Sequence, residues 1–404
     1  MGTLVARRPR SKRRSRRAGG ASVEALPALS SLTELPAFDE LAMSDAQREA
    51  YEDDVDVLRG EGADAREVEP ACVVRLDRSF PALMAASGLC RAEFSSRFGV
   101  VREPSAAVGD WVALRRPEHH DMGVIEFVLP RESDIARWRG GSRVRRQTLA
   151  ANVDEVLVVQ ALGAEPVSCD RMVRSTVVAV GCGARVALVL TKADRTTPKV
   201  LAADLARIHE VLGDDVPIAV TCTGSGHGRM DNGPLAQAAR ERHALWGERG
   251  VRSLIPAGTV AIVLGESGVG KSTLLNTLLG TNVLETRGIR ERDDTGRHTT
   301  VARRMVSMPG AGIVIDEPGL RSLPIVGHEQ GLLRVFPEIA SAAQGCRFRD
   351  CTHTHEPGCE VRACLEAGAF PWARLDAYLS LAREMRASRV ALDPDVTAGP
   401  STHG

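Results

Sequence analysis

Followed from one end to the other, the apolar and polar positions of this chain change texture several times. Up to about residue 65 no apolar period is sustained, and the mixture of Pro, Ser and charged residues predicts a disordered tail over 1–65. From Cys72 the apolar residues fall into short runs, ACVVRLD, AEFSSRFGVV, GDWVALRR and MGVIEFVL, broken by Gly, Pro and charged turns. That rhythm predicts a small all-β barrel over 66–147. From Val153 the pattern becomes that of buried strands alternating with helices: DEVLVVQA, RVALVLTKAD, DDVPIAVTCTGSG and TVAIVL supply the strands. Such alternation predicts an α/β domain over 148–322, built on a parallel sheet with loops converging at one edge. ARRMVSM and AGIVIDEPG predict a hairpin around Pro309-Gly310. Beyond Leu323, helical segments flank a Cys/His cluster and predict a small α-rich domain over 323–391, with 392–404 as a loose tail.

Composition adds less than its distribution. The 404 residues leave room for two or three domains. Lys plus Arg equals Asp plus Glu at 52 each, so net charge alone implies no nucleic-acid partner. Yet residues 7–17 hold eight basic side chains and no acid, while 34–56 are acid-rich. The basic run reads either as a solvated tail or as an RNA contact. The barrel region is near OB-fold size. Arg102, Arg115, Arg116, Arg131, Arg137, Arg139, Arg143, Arg145 and Arg146 make it basic, and Trp111 and Trp138 are candidates for stacking on bases. The competing reading makes the tryptophans core and the arginines solvated. No stretch of about 18 apolar residues appears, so no membrane span is predicted. No apolar run follows the paired arginines near the start, so cytoplasmic residence is expected rather than export.

Gly265-Glu266-Ser267-Gly268-Val269-Gly270-Lys271-Ser272 fits the phosphate-loop pattern G-x-x-x-x-G-K-[ST], after an apolar strand and before an amphipathic helix that opens with Lys271, Ser272 and Thr273. Its backbone N–H groups can turn inward around phosphate oxygens. Lys271 offers a charge to the β- and γ-phosphates, and the Ser272 hydroxyl a ligand to Mg²⁺. Thr191-Lys192-Ala193-Asp194, at the end of a strand, resembles the Asn-Lys-x-Asp motif of GTPases, whose carboxylate pairs with the guanine N1–H and exocyclic amine. Adenine would leave that carboxylate unpaired. Asp316-Glu317-Pro318-Gly319 resembles D-x-x-G, with Asp316 on the Mg²⁺ side and the Gly319 N–H toward the γ-phosphate. The next position is Leu320, which cannot orient an attacking water. Gly296-Arg297-His298-Thr299-Thr300 lies where a switch threonine ligates Mg²⁺, and His298 is the candidate replacement for the missing water-orienting group. Guanine reading therefore precedes the phosphate loop, the reverse of the usual order.

Of nine cysteines, four fall between 346 and 364. Cys346-x4-Cys351-x-His353-x5-Cys359 offers three thiolates and an imidazole, the donor set of one closed structural Zn²⁺ site, with His355 and Cys364 as spare candidates.

In this order the motifs resemble the RsgA (YjeQ) family of circularly permuted, small-ribosomal-subunit-dependent GTPases. GDWV, AANVDEVLVV, TKAD, GESGVGKS, GRHTT, DEPG and CRFRDCTHTHEPGC carry the resemblance, which spans roughly residues 70–390. It implies an OB-fold, a circularly permuted P-loop GTPase and a zinc-binding helical domain in series. It implies GTP and Mg²⁺ at the nucleotide site, a monomer that binds the small subunit and its rRNA, a role in late maturation, and hydrolysis stimulated by the ribosome. It assigns catalysis to His298, with Lys271, Thr299 and Thr300 in support. Thr191 and Glu317 depart from the commoner Asn and Thr. The alternative is a nucleotide-gated RNA-binding scaffold in which hydrolysis is incidental.

Overall fold

The structure, a computed structural model, describes residues 28–32, 34–77, 80–98, 106–118, 122–139, 145–222, 233–280, 303–317 and 324–392. The basic run 7–17 and the tail 393–404 lie outside the described residues.

The segment before the barrel departs from the expected loose tail. It carries helix α1, Asp45–Gly60, opened by a capping box. In that box the Gln47 N–H donates to the Ser44 hydroxyl at 3.2 Å and the Ser44 N–H to the Gln47 side chain at 3.1 Å. Val55 and Leu58, with Tyr51 beside them, pack on Val68, Ala113 and Phe127 of the barrel. Only this narrow apolar stripe of the helix is covered, Val57 staying exposed, and Glu49, Glu52, Asp53 and Asp56 dominate its composition. The charge hid the period, and the partner surface exists only once the barrel forms.

Strands β1 (Val68–Asp77), β2 (Phe80–Ala85), β3 (Gly88–Phe94), β4 (Trp111–Arg115) and β5 (Gly123–Val128) pair in the order β1-β2-β3-β5-β4, and β4 closes on β1. Alternate residues Ala71, Val73, Leu83, Val112, Leu114 and Ile125 fill the closed five-stranded barrel. Trp111 is not a stacking platform. It is 3% exposed, its indole N–H donates to the Ala42 carbonyl at 3.2 Å, and Phe38 packs edge-on against it. Several barrel arginines are likewise engaged inside the chain. Arg131 makes a two-pronged contact with fully buried Asp110 at 2.7 and 2.8 Å, Arg115 pairs with Glu126 at 2.7 Å, and Arg116 with Glu69 at 3.0 Å. The side chain of Trp138 lies outside the described residues. A hairpin of β6 (Asp134–Arg139) and β7 (Arg145–Ala151) leads into the next unit.

That unit contains β8 (Glu155–Ala161), α2 (Cys169–Gly181), β9 (Arg185–Thr191), α3 (Pro198–Leu212), β10 (Ile218–Val220), α4 (Pro234–Glu241), β11 (Leu245–Trp246) and α5 (Gly247–Ser253). It continues through β12 (Val260–Leu264), α6 (Lys271–Leu279), β13 (Arg303–Ser307) and β14 (Ile313–Asp316). Strands β11-β10-β9-β8-β12-β14 run parallel, and β13 closes the row antiparallel to β14. Strand β13 also pairs with β1, Arg304 opposite Arg75, so the barrel and the α/β core share one sheet. Both faces of the parallel sheet are covered, as its continuous apolar strands require. Val156 and Val158 face Met172 and Val177 of α2 and Leu201 and Leu205 of α3. Leu157 and Val159 face Val251 of α5 and Leu274, Leu275 and Leu278 of α6.

The last helices are α7 (Glu329–Val335), α8 (Pro337–Gln344), α9 (Glu360–Glu366) and α10 (Trp372–Leu392). Arg374 of α10 bonds Glu338 and the Val211 and Val335 carbonyls, and Arg174 of α2 meets Glu384 at 2.7 Å. These bonds seat the helical region on the core. No described helix is long and apolar enough to cross a membrane.

Gln47 is 2% exposed and its amide bonds the Pro130 carbonyl at 2.9 Å and Asn152 Oδ1 at 3.0 Å, tying α1 to the connection between barrel and core. Gln47→Ala is expected to lower the unfolding free energy by about 1–3 kcal/mol, the usual cost of unmaking buried hydrogen bonds. Urea unfolding at fixed nucleotide measures it, and an unchanged midpoint would show that the segment is not seated as described.

Candidate functional site

The C-terminal ends of β9 and β12, held one strand apart by β8, bring two motif-bearing loops together. This is the edge at which a parallel sheet binds its ligands. The loop 265–270 leaves β12 and enters α6 at Lys271. Gly265 has no room for a side chain, since a Cβ there would lie 2.6 Å from the Val159 carbonyl oxygen. Gly270 sits at φ 98, which lets the backbone turn into α6 with its amides facing the loop. The Lys271 ammonium donates to the Glu266 carbonyl at 2.8 Å and to that of Gly265, so it lies within the loop. Ser272 and Thr273 follow in the first turn, Ser272 half-buried and Thr273 exposed.

The strand-end tetrapeptide is fastened to that loop. The buried Thr191 hydroxyl donates to the Val269 carbonyl at 2.5 Å, and the Lys192 ammonium donates to the Gly268 carbonyl. Lys192 is left-handed, φ 57, which folds 191–194 back over the loop. The Ala193 N–H donates to the Thr221 carbonyl at 3.2 Å, adding the end of β10 to the assembly. The Asp194 carboxylate accepts from the Cys222 thiol at 3.1 Å. Burial, and then that hydrogen bond, push the Cys222 thiol up to about 11, so it stays protonated and donating near neutral pH. Cys222 as a partner of Asp194 is a contact that sequence reasoning missed. The one signal along the chain is that Cys222 closely follows β10, the strand beside β9.

Asp316 ends β14, beside β12, and thus opens toward the same edge as the loop 265–270. Its carboxylate lies 4.0 Å from the Arg304 guanidinium, and its neighbour Glu317 meets Arg303 at 2.5 Å. A hydroxyl at Ser272 and a carboxylate at Asp316 are hard oxygen donors of the kind Mg²⁺ takes. His298, Thr299, Thr300 and Gly319 lie outside the described residues, as does Leu320.

A second constellation lies under α10. One donor atom each from Cys346, Cys351, His353 and Cys359 falls within 4.8 Å of every other. A tetrahedron with Zn–S near 2.3 Å and Zn–N near 2.05 Å requires S–S edges of about 3.8 Å and S–N edges of about 3.6 Å. The Cys346–Cys359 separation is 3.9 Å, and His353 Nδ1 lies 3.5 and 3.6 Å from those two sulfurs. The cluster therefore fits a tetrahedral zinc. His355 and Cys364 fall outside the group; Cys364 lies instead 3.9 Å from Glu360. Burial lowers the His353 imidazole and pushes the Cys351 thiol up to about 12. Glu356, which the sequence reading passed over, ties the ligand loop: it accepts from Thr352 N at 2.9 Å and from Thr354 N and His355 N at 3.2 Å. Those bonds, with the Thr352 hydroxyl foremost, hold its carboxyl well below the usual carboxylate range.

Comparisons with known proteins agree with this geometry. A family model described as RsgA GTPase matches residues 128–326. The chain is 36% identical over 320 residues to a Streptomyces coelicolor protein named small ribosomal subunit biogenesis GTPase RsgA, covering 78% of this chain and 80% of that one. A Lactiplantibacillus plantarum relative, small ribosomal subunit biogenesis GTPase RsgA 2, is 39% identical over 279 residues, 69% of this chain and 72% of its own. Among solved structures, YjeQ from Thermotoga maritima superposes with a TM-score of 0.55 at 22% identity, over 79% of this chain and 99% of that one. YloQ, described as a circularly permuted GTPase, superposes at 0.54 with 18% identity, over 80% and 96%.

Metal analysis of the purified protein is expected to find one zinc per chain. Cys359→Ala should lose it, and occupancy should fall as pH is lowered, because the thiols regain their protons. A metal-free chain that keeps its unfolding temperature after chelation would contradict the reading.

Proposed function

The chain belongs to the RsgA GTPase family and hydrolyses GTP, and from that premise we propose that it is a cytoplasmic factor that binds the small ribosomal subunit and times its late maturation. The observation that carries the reading is the joining of the 191–194 tetrapeptide to the phosphate loop through Thr191 and Val269. One rigid edge then presents a guanine-facing carboxylate and a phosphate cradle together.

On this reading Asp194 selects guanine, with the Lys192 stem along the base and Ala193 fixing the turn. Gly265, Glu266, Ser267, Gly268, Val269 and Gly270 line the β- and γ-phosphates with backbone N–H groups. Lys271 exchanges its carbonyl partners for phosphate oxygens. Ser272 and Asp316 would hold Mg²⁺, which would supply positive charge to offset that developing on the transferred phosphoryl group. Thr273 contacts the α-phosphate side, and Gly319 and Thr299 or Thr300 sense the γ-phosphate. His298 orients the attacking water once contact with the subunit positions it, so hydrolysis is slow in the free protein. Cys346, Cys351, His353 and Cys359 hold one structural Zn²⁺, which makes the helical region a rigid platform for rRNA. The barrel contributes a second RNA surface, drawn from arginines other than Arg115, Arg116 and Arg131. The protein acts as a monomer.

Sedimentation with separated subunits is expected to place the GTP-bound chain on the small subunit and not on the large one. His298→Ala should bind normally and lose at least tenfold of the subunit-stimulated turnover, a loss in keeping with removal of a water-orienting group. Stimulation that survives this change would overturn the assignment of His298. Full maturation by Lys271→Ala would favour a scaffold in which hydrolysis is incidental.

A further inference from the structure

Arg304 stands at a junction that the proposed mechanism does not use. It lies on β13 directly opposite Asp316 of β14, with its Nε 4.0 Å from the Asp316 carboxylate. Its Nη1 donates to the carboxylate of Glu34, which comes from the segment ahead of α1. The three side chains are largely enclosed, at 18% exposure for Arg304, 13% for Glu34 and 26% for Asp316. That segment is itself fastened to β13. The Ser307 N–H donates to the Glu34 carbonyl at 3.0 Å, and the Ser307 hydroxyl donates to the Glu40 carboxylate. The neighbouring cations are committed elsewhere, Arg75 to Asp77 at 2.9 Å and Arg303 to Glu317 at 2.5 Å. One guanidinium is thus divided between two carboxylates. One belongs to the α/β core and the other to the N-terminal segment.

We propose that Arg304 is a positioning residue that sets the Mg²⁺ affinity of the nucleotide site, with Glu34 drawing its charge away from Asp316. A fixed cation beside a metal-side carboxylate competes with the metal for that carboxylate's charge. Competition weakens when a second carboxylate holds the guanidinium in place at the far side. Docking of the 34–43 segment on β13 therefore favours Mg²⁺ at the nucleotide site, and its release disfavours it. The segment precedes the barrel, so a partner that pulls on it reaches the nucleotide site without touching the nucleotide. The inference rests on the proposed role of Asp316.

The test is a Mg²⁺ titration of fluorescent GDP binding to the full-length chain, with the unfolding temperature of each variant recorded. Glu34→Gln is expected to raise the Mg²⁺ midpoint about fivefold, the effect of losing one partly screened ion pair. Arg304→Gln should lower the midpoint, and the double variant should match Arg304→Gln alone. Binding at saturating Mg²⁺ should stay within about twofold in each, which a general structural defect would not allow. An unchanged midpoint in Glu34→Gln, or a raised one in Arg304→Gln, overturns the proposal. Asp316→Asn separates the two readings. If it leaves the midpoint unmoved, the metal-side role of Asp316 fails; if it moves the midpoint while Glu34→Gln does not, only the coupling fails. Should Glu34→Gln not fold, Arg304→Gln carries the test by itself: a lowered midpoint supports the proposal, and an unchanged or raised one overturns it.

Discussion

Strand β13 is hydrogen-bonded on both of its edges. On one side Arg304 to Ser307 pair with Asp316 to Ile313, and on the other Arg303 and Arg304 pair with Leu76 and Arg75 of the barrel. A strand at the end of a parallel row would otherwise present unpaired N–H and C=O groups to solvent or to another chain. Here the barrel and the segment around Glu34 cover that edge. The barrel keeps an interior of its own, but Cys72, Val74 and Trp111 on its outer side join the apolar cluster of the α/β core, and the two units are one sheet, so β13 cannot shift without disturbing both. In chain order β13 follows the polar segment 286–300 and precedes Asp316, so the shared strand lies between the two stretches read as nucleotide sensors.

The reversed order of the motifs leaves the geometry of the nucleotide edge intact. In a parallel sheet every strand ends at the same edge, whatever its place in the chain. The loops after β9 and β12 meet because both flank β8, not because of their order in the sequence. What the order does change is where the chain goes next. It goes on from Asp316 to α7, the first of the last helices, which packs on α2 of the core, instead of continuing to β8 and β9. On the other side of β14 the barrel is one strand away, across β13.

Much of the site was legible because its chemistry is local. A loop of six residues between a strand and a helix must carry glycine at Gly265 and Gly270, and those glycines are visible in a row of letters. The four metal-fitting ligands fall within a 14-residue stretch, so their spacing alone predicted the group that the fold assembles. The contact of Cys222 with Asp194, the clamp made by Glu356 and the bond from Thr191 to Val269 were not legible in this way. Each depends on where a side chain points after strands from different parts of the chain have been laid side by side. The ion pairs of Arg115, Arg116 and Arg131 were hidden for a related reason. A count of cations records charge but not its partners, and Asp110, Glu126 and Glu69 answer three of them.

By itself the sequence determined the succession of barrel, α/β core and helical region, the phosphate loop, the guanine-type tetrapeptide and the metal-ligand set. Period-2 and continuous apolar runs, turn glycines and short ligand spacings are properties of neighbouring residues, and they survive in one dimension. Tertiary structure alone decided that α1 is a packed element, that Trp111 is core, and that β13 joins two units. Each of those outcomes depends on apolar stripes or hydrogen-bonding edges finding a partner far away in the chain. The stripe on α1 is three residues wide among acids, and the free edge of β13 has no signature in composition. Order along the chain thus settled which parts exist, and the closing of distant edges settled how those parts act on one another.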